Sequence, residues 1–365
     1  MRRSRGRVID VGTVAELERR VEAGARSMRG WRLRRLDLRD SSEVLGRLDP
    51  AGALLLGCRL TGADVERLEA GGALVLPDLD GCPVDAYRTT LYTAAELYDD
   101  ADYPRTLDAR AYAWSQHLHT AEDELAVTLH DHAVDAALAA WVAPRRLVGV
   151  MGGHAAQRGQ PAYDDAARLG RALAAHATVA TGGGPGAMEA ANLGAALSHL
   201  PPAALDDATS QLAQVPSFEP SVAAWVRTAQ EVLRQTTAPG GRLTESLGIP
   251  TWHYGHEPPN LFATGIAKFF GNPAREALLL EVCDAGIVFL PGAAGTVQEV
   301  FQDACENYYA DESAVAPMVL LGREFWTETL PAWPLLRTLA RGRAMEEHVH
   351  LADSVEEAAA LVAGE

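Results

Sequence analysis

Glu299 closes the stretch Pro291-Gly292-Ala293-Ala294-Gly295-Thr296-Val297-Gln298-Glu299, in which small residues and one hydroxyl precede a carboxylate. The apolar run Ala285-Gly286-Ile287-Val288-Phe289-Leu290 comes before it, and Val300-Phe301-Gln302-Asp303-Ala304-Cys305-Glu306, with helical spacing, comes after. A buried strand, a small-residue turn and a helix are therefore expected in succession. The first N–H groups of such a helix lack intrahelical acceptors and its dipole favours negative charge, so the turn can hold a phosphate. Gly292, Gly295 and Thr296 are the expected phosphate holders, and Glu299 stands about one turn into the helix beside them. A phosphate cradle next to a carboxylate points to chemistry on a phosphorylated small molecule. The plainer alternative is a first-turn carboxylate that contributes about 0.3–1 kcal/mol against the helix dipole.

A second turn of the same kind is Gly182-Gly183-Gly184-Pro185-Gly186-Ala187-Met188-Glu189, between the strand candidate Thr178–Thr181 and a helix from Ala187 to Ser198. Glycines there let backbone approach a ligand without a Cβ in the way. Gly152 and Gly153 end a third strand candidate, Arg146–Met151, at the first strand-to-helix turn of this half. Glu189 and Asn192, one turn into the helix after the second Gly turn, either reach a ribose or base or form a solvated helix face. The second turn also fits G-x-G-x-x-A loosely, as a dinucleotide site would. It follows the second strand of its half rather than the first, which makes an NAD(P)-dependent oxidoreductase the weaker reading.

Together the two motifs resemble the LOG (Lonely Guy) family and the related bacterial nucleoside-5′-monophosphate nucleosidases. Their hallmarks are Gly-Gly-Gly-x-x-Gly-x-Met and Pro-Gly-Gly-x-Gly-Thr-x-x-Glu, and the resemblance covers about residues 145 to 365. It implies hydrolysis of the N-glycosidic bond of a nucleoside monophosphate substrate, without cofactor or metal. The resemblance places the catalytic pair on Arg275 and Glu299, and adds Gly182, Gly183, Gly184, Gly186 and Met188 as nucleotide contacts. Glu257-Pro258-Pro259-Asn260 is similar to the Pro-Asn segment of the nucleosidase branch. A homodimer or higher homo-oligomer is the family's usual state. Two positions depart from the pattern. Ala293 replaces the second Gly, which alters the loop if a left-handed backbone is needed there and is harmless if only closeness is. Glu276 follows Arg275 where Lys is common, and weakens the local positive field. A non-catalytic nucleotide sensor or carrier is the alternative, since fold does not fix function.

The elements around these motifs read as α/β. Strand–Gly turn–helix occurs twice between residues 146 and 198, and later strands are expected at Glu245–Trp252, Ala285–Leu290, Met318–Leu321 and His348–Leu351. This is the signature of a Rossmann-like doubly wound parallel sheet with helices on both faces. Residues 141–365 form that domain, with a helical insertion at about 200–240. Residues 1–140 form a smaller α/β domain, a cap or regulatory part, with a βαβ unit over residues 53–77, an aromatic-rich segment over 84–115 and a long helix from Ala121 to Val142. No internal repeat is evident in the sequence.

The 365 residues carry a formal net charge of −17 and 48% hydrophobic residues. The acidic balance argues against a nucleic acid polymer as partner, because such surfaces need a basic stripe. No apolar run reaches membrane-spanning length, and Arg2 to Arg7 are followed by no signal core. Cys58, Cys82, Cys283 and Cys305 form no CxxC pair, and a cytoplasmic protein with reduced thiols is expected. His117, His119, His130 and His132 lie near Asp131 without the spacing of a zinc site.

Overall fold

The computed structural model describes residues 8–79, 81–118, 120–237, 241–253 and 257–364. The basic segment Arg2–Arg7 and His119 lie outside the described residues. The chain divides into two compact units, one of Met1–Arg88 with His119–Ala133, the other of Thr89–Leu118 with Val134–Glu365. Residues 89–118, which hold most of the aromatic-rich segment read as amino-terminal, therefore belong to the larger unit.

The smaller unit alternates strand and helix: β1 (Ile9–Val11), α1 (Val14–Glu22), β2 (Trp31–Arg34), α2 (Ser42–Gly46), β3 (Leu54–Leu56), α3 (Gly62–Ala70) and β4 (Leu74–Leu76). The four strands are parallel and pair in chain order. The register aligns Val11, Leu33, Leu55 and Val75, and the first three of these are buried with Leu17, Leu45 and Leu68. Thr61 caps α3 by accepting a hydrogen bond from Asp64 N at 3.2 Å. Gly30, Gly52 and Gly72 precede successive strands with positive φ. Their backbones pair in a ladder, Gly30 N donating to Gly52 O and Gly52 N to Gly72 O. The unit is thus a βα repeat of about 20 residues, where none is evident in the sequence. The repeats share only a glycine and alternate apolar positions, and α2 and α3 differ in length, so little sequence identity marks them.

The larger unit begins with α4 (Ala94–Leu97), α5 (Leu107–Ser115) and α6 (Ala121–Val142), the last of which contributes residues to both units. There follow β5 (Leu147–Met151), α7 (Pro161–Leu173), β6 (Thr178–Thr181), α8 (Ala187–Ala196), α9 (Pro202–Leu212), α10 (Val222–Thr236), β7 (Ser246–Gly248) and β8 (Gly265–Ile266). The chain ends with α11 (Asn272–Glu281), β9 (Ile287–Phe289), α12 (Ala294–Tyr309), β10 (Met318–Leu321), α13 (Ala332–Ala340), β11 (Val349–Ala352) and α14 (Val355–Ala363). The sheet order is β11-β10-β9-β5-β6-β7-β8, and each neighbouring pair of these strands runs parallel. All residues of β5, β9 and β10 are buried, as strands covered on both faces require. The fold is a Rossmann-like doubly wound sheet.

From β5 the chain works outward through β6, β7 and β8, then returns to β9 on the other side of β5. The switch point therefore lies between β5 and β9, and ligands of such sheets bind in the crevice at the carboxyl ends there. Among the described residues no helix is long and apolar enough to cross a membrane.

Candidate functional site

Three turns meet at that crevice. A Cβ on Gly153, after β5, would lie 3.6 Å from Gly292 Cα, after β9. Gly152 packs against Leu290 and Ala187. The turn after β6 is the most constrained of the three. Gly183 and Gly186 both have positive φ, and a Cβ would come within 2.6 Å of Pro250 Cδ and of His154 O respectively. Only glycine suits these two positions. Met188 lies over the turn, with its sulfur 2.7 Å from where a Cβ on Gly182 would be and its methyl 2.9 Å from one on Gly184.

The carbonyls of this turn are clamped from outside it. Gly183 O accepts from Asn260 N at 2.8 Å, and Gly184 O accepts from Asn260 Nδ2 at 3.3 Å. Arg275, from the first turn of α11, donates through Nε to Ile249 O at 2.7 Å and through Nη2 to Gly182 O at 3.3 Å. The guanidinium is thereby fixed across the ends of β6 and β7. A guanidinium carries five N–H donors, so donors remain for a ligand.

Glu299 lies in the first turns of α12 and is half-buried. Burial pushes its carboxyl up to about 7, Arg275 pulls it down and Glu276 pushes it up. The Arg275 and Glu276 charges therefore lie near enough to Glu299 to act on its carboxyl. Glu276 in turn accepts from Gln298 Nε2 at 2.7 Å. The N-terminus of α12 has no side-chain cap, which leaves its first N–H groups for an anion. Thr296 is buried, its hydroxyl folded over Gly292. Gly295 is exposed, and a Cβ there would meet nothing within 4 Å among the described residues. Ala293 has φ −101° and ψ −152°, an extended backbone that any residue adopts. The left-handed geometry considered for this position is absent, and the methyl costs the loop nothing.

Two residues expected to face a ligand do not. Glu189 is fully buried and paired with Arg158 in a bidentate contact, Nε at 2.9 Å and Nη2 at 2.5 Å. The Arg158 guanidinium also stacks over Trp225, 4.5 Å from the ring centre. Asn192 is equally buried. Its Oδ1 accepts from Thr181 Oγ1 at 2.7 Å and from Asn260 Nδ2 at 2.9 Å, and its Nδ2 donates to Leu247 O. Neither the ligand role nor the solvated-face reading holds. Helix α8 is too deeply packed, and both side chains brace the floor under the glycine turn. Sequence reasoning missed Asn260 as the clamp, although the Pro-Asn segment marked its place. It also missed His154 and Glu257, whose side chains approach to 3.5 Å beside this turn.

One turn beyond Glu299, Asp303 is 6% exposed and its Oδ2 has no hydrogen-bond partner among the described residues. Burial, with Glu306 nearby, pushes its carboxyl up to about 8. The folded state thus holds this proton more tightly than the unfolded chain. Unfolding releases it between the ordinary carboxylate range and about pH 8, so stability falls as pH rises through that window. Asp303→Asn removes this dependence. Thermal melts are expected to show the variant gaining on the wild type steadily from pH 5 to pH 8. Parallel curves for the two proteins would refute the assignment.

No protein-family model matches the chain, and no curated protein matches it. Similar solved structures include the molybdenum cofactor binding protein from the phototrophic bacterium Rippkaea orientalis, at 18% identity, TM-score 0.36, over 60% of this chain and 96% of that one. The Moco carrier protein from Chlamydomonas reinhardtii is 21% identical over 60% of this chain and 99% of its own, with a TM-score of 0.36. The structural-genomics protein TM1055 is 18% identical over 60% and 99%, with a TM-score of 0.35.

Proposed function

We propose that the larger unit hydrolyses the N-glycosidic bond of nucleoside 5′-monophosphates to free base and ribose 5-phosphate. The observation that carries this reading is Glu299, a half-buried carboxyl held at about 7, one turn behind an uncapped helix N-terminus and under the field of a fixed Arg275. The 5′-phosphate sits on the N–H groups of Gly292, in the turn before α12, and of Gly295 and Thr296 in its first turn, with Gly152 and Gly153 across the crevice. Gly182 to Gly186 and Met188 form the nucleotide floor. Phosphate binding at a distance from the reacting bond holds that bond in place.

Cleavage of the bond passes through an oxocarbenium-like state, as glycoside cleavage does. Positive charge develops on the sugar, and the Glu299 carboxylate stabilises it more in the transition state than in the ground state. The same carboxylate takes a proton from the attacking water. Arg275 faces the phosphate or the departing base with the donors that Ile249 and Gly182 leave open.

The second reading is a nucleotide sensor or carrier. Glu276 favours it, because its charge helps keep Glu299 protonated near neutrality, and a protonated Glu299 neither stabilises the cation nor accepts the water's proton. Incubation with purine, pyrimidine and cytokinin-type nucleoside monophosphates separates the two. Free base and ribose 5-phosphate in stoichiometric amounts are the expected products. Micromolar binding without base release would replace the hydrolase with the sensor, and neither binding nor release would remove both. Light scattering on the same samples reads out the homo-oligomer that the resemblance implies.

A further inference from the structure

We infer that His154, oriented by Glu257, is the general acid that protonates the departing base, which deepens the hydrolytic reading above and rests on it. Imidazole Nδ1 of His154 lies 3.5 Å from Glu257 Oε1. The two residues come from different loops, one after β5 and the other between β7 and β8, and both reach the turn after β6. The His154 carbonyl and Cα press on Gly186. Glu257 Oε2 lies 3.5 Å from the place a Cβ on Gly184 would take. At the other end of the same turn, Arg275 Nη2 lies 2.8 Å from the place of a Cβ on Gly182. The glycine turn is therefore flanked by Arg275 on one side and the His–Glu pair on the other. His154 also directly follows Gly153, which packs against Gly292 of the phosphate turn.

The pair has no evident structural task. Its side chains are 62% and 37% exposed, and a polar contact so open to water contributes little to stability. Glu189 and Asn192, by contrast, are sealed under the same turn. With Nδ1 directed at a carboxylate, the other ring nitrogen, Nε2, faces away from it and in the imidazolium form carries the proton to be donated, which is how a carboxylate sets a histidine for acid–base work. The contact is long, as such contacts often are before substrate tightens them.

The reaction needs this proton. A neutral base leaves poorly as an anion, and Glu299 is assigned to the opposite task of accepting a proton. The C1′–N bond breaks with its electron pair going to the base, whose nitrogen takes the proton from His154 Nε2. Water oxygen bonds C1′ and gives its proton to the Glu299 carboxylate. Transfer from Glu299 through solvent to the imidazole restores both groups, and the sum is one water consumed.

The test compares the preferred purine nucleoside monophosphate with its 7-methyl derivative, whose ring is already cationic and leaves without a proton. His154→Gln is expected to lower kcat on the ordinary nucleotide about 100-fold or more, in the range of general acid catalysis, with little change in KM. On the 7-methyl nucleotide the loss is expected to stay within a few-fold. Glu257→Gln should show the same contrast at smaller amplitude, as a positioning residue. For any preferred base, pyrimidines included, added imidazole is expected to restore part of the turnover of His154→Ala. Equal losses on both nucleotides, or no rescue by imidazole, would overturn the inference while leaving the hydrolase intact. A wild type that releases no base from any nucleotide overturns the hydrolytic reading, and this one with it.

Discussion

Glu299→Gln is expected to lower base release about 1,000-fold, the upper end of what one preorganised electrostatic group supplies. Glutamine keeps the shape and the hydrogen-bonding capacity but carries no charge to face the sugar cation and accepts no proton from water. Affinity for ribose 5-phosphate should change little, because the proposed phosphate position is the helix N-terminus one turn away. The wild type should show the same requirement as a pH limb. Its carboxyl titrates at about 7, so kcat/KM is expected to fall as pH drops through that value. Glu276 contributes to the elevation, and Glu276→Gln should move the limb to lower pH. Steady-state pH profiles of the three proteins, with calorimetry for ribose 5-phosphate, check these outcomes. A glutamine variant with wild-type turnover would remove Glu299 from the chemistry.

Gly194→Ala is expected to cost the larger unit most or all of its stability. Helices α7 and α8 cross with their backbones in contact, and a Cβ on Gly194 would lie 1.8 Å from Ala167 O and 2.8 Å from Arg171 N. Gly170 makes the reciprocal contact, 2.1 Å from Ala191 O. In an isolated helix the change to alanine stabilises by about 1 kcal/mol. Here the collision is with main chain, which yields only if the two helices separate. Overpacking of flexible side chains costs about 1–3 kcal/mol, and a rigid carbonyl places this site at or above that range, so the collision outweighs the propensity. Both helices begin at the crevice, so the loss reaches the site. Urea melts and the yield of folded protein measure it, and an unchanged midpoint for Gly194→Ala would show that the helices do not pack this closely.

How far the chain could be read before folding follows from the range of each interaction. Val148, Val150, Ile287, Val288 and Leu320 sit in strands covered on both faces, and such strands announce themselves as unbroken apolar runs. Gly183 and Gly186 announce a turn because no other residue takes their backbone angles. The cap at Thr61 and the helix Ala121–Val142 are local for the same reason. β8, of two residues, carries too little pattern to be seen. The repeat in the smaller unit shows itself through hydrogen bonds between Gly30, Gly52 and Gly72 more than through shared side chains.

By itself, the sequence determined a parallel sheet, its glycine turns, and an acid and an arginine at the carboxyl edge. Only the tertiary structure decided what each polar side chain faces. It buried Glu189 against Arg158 and Asn192 against Asn260, gave Ala293 an extended backbone, tied Arg275 to Gly182 and Ile249, and joined His154 to Glu257. The physical reason is that secondary structure follows from neighbours along the chain. A hydrogen bond or ion pair between distant loops exists only once the strand order has brought their ends to one edge.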